Sequence, residues 1–175
     1  MEVAKASSSS SGGGGGGGSS SGSSKRPYDV VSVMAGINDL GRGNKTAGAV
    51  MAALQAVLTK AIAAATTAVV VISPWANRFV ARGSDNEVQR LKLLAMLKQY
   101  VAAHSNSNAD SWPRLLLDDA AEGPFNFWEQ PEEQRRRYQD DELHLTAEGY
   151  DFLGGHVFGM LLDSGVVAAL RCGVG

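Results

Sequence analysis

The chain has 175 residues, 44% of them hydrophobic, and a formal net charge of −2, which suits one domain with a sizeable core. That balance gives no electrostatic footprint for nucleic acid or an anionic membrane, and no apolar run approaches the roughly 20 residues of a membrane helix. The single cysteine, Cys172, excludes an internal disulfide framework and sits in a glycine-flanked tail.

Residues 7–24 are only serine and glycine. Such a segment buries too little apolar surface to offset its ordering entropy. Residues 1–26 are therefore expected to be a disordered tail, and 27–172 a single domain. The N-terminus has no apolar signal core and almost no arginine, so an intracellular site is the default expectation.

Beyond the tract the pattern alternates. "YDVVSVMAG" is β-branched and apolar and predicts a buried parallel strand. "GNKTAGAVMAALQAVLTKAIAAA" predicts a helix from its alanine and leucine content. "AVVVISP" predicts a second strand closed by Pro74. Ser84 and Glu87 predict a capping box, followed by an apolar series at Val88, Leu91, Leu94 and Val101. "PRLLLD" predicts a third strand, and "NFWEQPEEQRRRYQ" a loop with some helix. Thr146 is placed to cap a last helix over "TAEGYDFLGGHVFGMLLDSG", with Leu145 and Tyr150 spaced for a hydrophobic staple. Alternating strands and helices imply a parallel sheet covered on both faces, with function beyond the carboxyl ends of its strands.

Two stretches carry chemistry. "AGINDLGRGN" follows the first strand, with Gly36 placed for a sharp turn. Asn38 then offers an amide donor toward an oxyanion, or Asn38 and Asp39 simply satisfy loop backbone groups. In "DDELHLTAEGY", Asp141 and His144 are three apart, so the carboxylate can orient the imidazole as a general base. The same residues also suit an exposed acidic turn before a helix. His156 falls inside the last helix, and no two histidines have zinc-site spacing, so no metal or other cofactor is expected. The "RRR" run, Arg135 to Arg137, follows "PEE" and suits local ion pairs on a solvated face.

In this order, the two stretches resemble the SGNH hydrolases, also called GDSL-type esterases and lipases. Gly36-Ile37-Asn38-Asp39 is similar to their third block, and Asp141-Glu142-Leu143-His144 followed by "LTAEGY" to their fifth. The resemblance runs from Tyr28 to Leu162. It implies a flavodoxin-like three-layer α/β/α fold around a sheet of about five parallel strands. It also implies hydrolysis of a small-molecule carboxylic ester through an acyl-enzyme, without metal. His144 would be the base, Asp141 its orienter and Asn38 an oxyanion-hole donor, with Gly36 and Asp39 shaping the block. The family's nucleophile is a serine in an N-terminal Gly-Asp-Ser block, and this chain has no such block, so the nucleophile cannot be assigned. The sequence therefore predicts about three strands of the sheet and a truncated form of the enzyme. The alternative is an inactive α/β binding module. The family's first strand would lie beside "VVSVMAG", which predicts an open sheet edge there.

Overall fold

The computed structural model describes residues 28–76, 81–105, 113–123, 125, 126, 128–140 and 144–172. The serine–glycine tract, Phe127 and Asp141 lie outside the described residues.

Three strands, β1 (Tyr28–Met34), β2 (Ala65–Ile72) and β3 (Arg114–Asp118), form a sheet in the order β1-β2-β3, with both pairs parallel. A parallel pair needs a crossover, and the crossovers here are helices. A short turn of helix, α1 (Ile37–Gly41), and the long α2 (Ala47–Ala64) join β1 to β2; α3 (Asp85–Ser105) joins β2 to β3. After β3 come a 3₁₀ turn (Ala120–Glu122), α4 (Glu132–Tyr138), α5 (Ala147–Asp163) and α6 (Val166–Cys172).

The alternation of side chains along a strand divides the core into two. Val69, Val71, Val33 and Leu115 point to one face and pack with Val50, Leu54 and Leu58 of α2 and Leu93 and Leu97 of α3. Val70 and Ile72 point to the other and pack with Trp75, Phe125, Leu145 and Leu153, the last on α5. The result is the expected α/β/α layering. Helix α2 is long and apolar enough to cross a bilayer, but its buried residues are the ones packed on the sheet. Among the described residues β1 pairs with β2 alone, and Tyr28 and Met34 at its two ends are exposed.

Several elements differ from the sequence expectation. "INDLG" is one helical turn rather than irregular loop, since the Leu40 and Arg42 amides bond back to the Gly36 and Asn38 carbonyls. Cys172 ends α6 instead of lying in a tail, and its thiol is exposed. Tyr150 is half exposed, so only Leu145 of the expected staple is buried.

Helix α3 departs most. Ser84 does cap it, accepting from the Glu87 amide at 3.2 Å. The buried stripe, however, runs through Glu87, Arg90, Leu93, Leu94 and Leu97, while Val88 and Leu91 are exposed. Glu87 does not reach back to complete the capping box. Both its oxygens accept from Arg90, Oε2 from Nε and Oε1 from Nη2, each at 2.8 Å. Arg90 Nη1 also donates to the Pro74 carbonyl at 3.2 Å. This fork tethers α3 to the segment leaving β2.

A buried pair of this kind is costly to break on one side only. Arg90→Met is expected to destabilise the chain by ~3–5 kcal/mol, because the Glu87 carboxylate and the Pro74 carbonyl lose their partner. The double variant Glu87→Leu/Arg90→Met is expected to recover most of that loss. Urea unfolding of the three proteins checks both; equal midpoints for the single and double variants would contradict the assignment.

Candidate functional site

The carboxyl ends of β1 and β2 open onto a cleft of about 370 Å³. Its walls are Met34 to Asp39 from the β1–α1 turn, Pro74 and Trp75 after β2, His144 from the loop before α5, and Tyr150 on α5. The sequence-predicted Gly36, Asn38, Asp39 and His144 thus border one space. Asp141 is outside the described residues, so its relation to His144 is not part of this geometry.

The β1–α1 turn depends on Gly36. Its φ of 101° lies in the left-handed region that favours glycine. A Cβ there would stand 2.9 Å from Val50 Cγ1 and 3.4 Å from Leu93 Cδ2, so α2 and α3 press directly on this backbone. The turn carries Asn38 to the exposed start of α1. Asp39 Oδ1 pairs with Lys45 Nζ at 2.6 Å, and the Lys45 amide donates to the Asp39 carbonyl at 3.1 Å. Asp39 therefore fastens the far side of the turn to Lys45.

His144 is held by its backbone. Gln139 and Leu145 form an isolated antiparallel bridge, the Asp140 amide donates to the His144 carbonyl at 2.9 Å, and the Thr146 amide donates to the Tyr138 carbonyl at 3.0 Å. Leu145 is buried in the core on one side of His144. On the other, Thr146 caps α5, accepting from the Gly149 amide at 3.0 Å while its hydroxyl donates to the Arg137 carbonyl at 2.6 Å. His144 itself is exposed.

Trp75 serves two purposes: it is buried in the core and it lines the cleft. Phe125 is fully buried and supports it, with ring centroids 5.7 Å apart. Phe125 also meets Phe152 of α5 edge-on at 5.6 Å. The arginine run makes one local ion pair of the expected kind, Arg136 with Glu132, while Arg137 instead reaches from α4 to Glu148 in the first turn of α5. The Arg137 hydrogen bond holds the Glu148 carboxyl below its ordinary value.

A second titratable group, not anticipated from sequence, lies at the end of β3. Asp118 is fully buried, and His156 Nε2 on α5 approaches its Oδ1 to 3.4 Å. Burial raises the Asp118 carboxyl above its ordinary value; the Ala120 amide and the His156 charge oppose the rise, and Asp119 adds to it. Neither Asp118 nor His156 borders the cleft.

A parallel α/β sheet with a cleft at its carboxyl edge, bordered by an Asn-Asp turn and a histidine loop, is where α/β folds place their binding and active sites. The model of the GDSL-like lipase/acylhydrolase family matches residues 8–152, and the chain belongs to that family. Its members hydrolyse ester bonds. No curated protein and no solved structure matched the chain.

Proposed function

We propose that the chain is a carboxylic ester hydrolase working by a Ser-His-Asp acyl-enzyme route, and that the cleft holds the base and oxyanion portions of its site. The observation that carries this reading is that Asn38 and His144, from opposite ends of the domain sequence, border the same cleft.

In this reading His144 takes the proton from a serine hydroxyl as that oxygen bonds to the ester carbonyl carbon. The Asn38 amide donates to the resulting oxyanion. The C–O bond to the leaving alcohol then breaks, and His144 returns the proton to the departing oxygen. Water repeats the sequence on the acyl-serine and releases the acid. Asp141 would hold the imidazole in the tautomer that leaves one nitrogen free to act. Pro74, Trp75 and Tyr150 would border the bound ester, an apolar wall with one hydroxyl. No cofactor enters these steps.

One observation favours a second reading, a non-catalytic binding module. No serine, threonine or cysteine is among the described residues lining the cleft. Initial rates with p-nitrophenyl acetate and butyrate separate the two. Release of p-nitrophenol above the buffer rate supports the hydrolase. Saturable binding of the ester without release supports the module.

Within the hydrolase reading, Asn38→Ala is expected to lower kcat about 10²–10³-fold with little change in KM, because the lost hydrogen bond strengthens as the oxyanion forms. A rise in KM at unchanged kcat would assign Asn38 to ground-state binding instead.

A further inference from the structure

We propose that Asp118, Asp119 and His156 form a binding site for a first-row divalent cation, best represented by Zn²⁺, outside the cleft. The ligand-capable atoms of the three side chains all lie within 4.8 Å of one another. They come from the end of β3 and the middle of α5.

Asp118 supplies the stronger argument. Its side chain is fully buried at the carboxyl edge of the sheet. Oδ1 is occupied, accepting from the Ala120 amide at 2.7 Å and facing His156 Nε2 at 3.4 Å. Oδ2 is buried with no hydrogen-bond partner among the described residues. A desolvated carboxylate oxygen without a partner is expensive, and buried carboxylates are normally paired or coordinated to metal. A cation held by the Asp118 carboxylate, on the side where Oδ1 faces His156, would offset the cost of burying that charge.

The remaining chemistry fits. Donor atoms around a zinc ion lie about 2.0–2.2 Å from the metal. The three side chains need only a modest contraction to reach that, and Asp119 is exposed and can supply it. One imidazole and two carboxylates suit zinc or manganese better than calcium, which takes six to eight oxygens. His156 keeps a third of its side chain exposed, which leaves the cation a route to solvent. A bound cation would tie β3 to α5, the helix capped two residues after His144. The site does not depend on the hydrolase reading.

The test uses the full chain in a Cys172→Ser background, which removes the exposed thiol as a competing ligand. The protein is stripped with chelator, dialysed and titrated calorimetrically with ZnCl₂. Uptake of one equivalent per chain with a raised melting temperature is expected. His156→Ala and Asp118→Asn should each abolish that stoichiometric uptake. Co²⁺ should give visible d–d bands that His156→Ala loses. Absence of stoichiometric uptake by the parent chain, or unchanged uptake by His156→Ala, would overturn the proposal and leave an ion pair only. If Asp118→Asn does not fold, His156→Ala with its cobalt spectrum decides the matter.

Discussion

His144→Ala is expected to lower kcat/KM for p-nitrophenyl acetate by about 10⁴-fold or more, the scale on which a general base acting as a unit with a nucleophile is lost. The substitution should leave the fold intact. The imidazole is exposed, while the loop is held by backbone contacts that alanine keeps: the Asp140 amide to the His144 carbonyl, the Gln139–Leu145 bridge and the Thr146 cap. Exposed substitutions away from such features usually change stability within about ±0.5 kcal/mol. An unchanged melting temperature beside lost turnover would therefore assign the loss to chemistry. Undiminished turnover in the variant would remove His144 from the mechanism and leave its position on the cleft wall as a packing fact.

What could be read from the sequence followed from local rules. The turn at Gly36 was legible because a glycine closing a β-branched run frees the backbone to turn sharply, and the φ of 101° favours that residue type. The burial expected of that run was not met: Val33 alone is buried in β1, which has a neighbouring strand on one side only among the described residues. Thr146 was legible because a cap followed by apolar helical spacing has a local signature, and the Gly149 amide does bond to its hydroxyl. The layering followed from β-branched runs alternating with helical ones.

The failures were tertiary. In α3 the apolar series pointed to Val88 and Leu91, but a bidentate Glu87–Arg90 pair takes the inward positions, so hydrophobic periodicity misreads the face. Helix α6 was hidden because Gly165 looks like a stop. With φ at 76° it instead lets the chain turn about 70° into a new helix. The Asp118–His156 contact joins a strand end to a helix far along the chain, and no spacing rule reports such a meeting. A buried aspartate closing an apolar strand was its one available signal. The cleft itself was half legible. Its polar members and Tyr150 stood in two motifs, while Trp75 enters it through packing.

The glycines of α5 should respond in opposite directions to alanine. Gly149 is buried where α5 crosses the bridge that holds His144. A Cβ on it would overlap the Tyr138 carbonyl oxygen and lie 3.0 Å from the Tyr138 carbonyl carbon and 3.1 Å from Leu145 Cβ. The obstruction is mainly backbone, which cannot rotate away as a side-chain tip can. That same carbonyl accepts from the Thr146 amide, so relief would pull the cap and the bridge apart together. Gly149→Ala is accordingly expected to cost ~3 kcal/mol, the upper part of the usual range for inserting a methyl group into packed structure. For a domain of this size that is a fall of about 6–12 °C in Tm. Gly154, on the same helix, is exposed, and a methyl group added to it would meet nothing within 4 Å. There alanine is expected to stabilise by up to ~1 kcal/mol through helix propensity alone. Thermal melts of the two variants decide the point. A Gly149→Ala protein that melts with the parent would mean the bridge yields easily. His144 would then stand on a loop too soft to hold a base in place, and its proposed role would weaken with it.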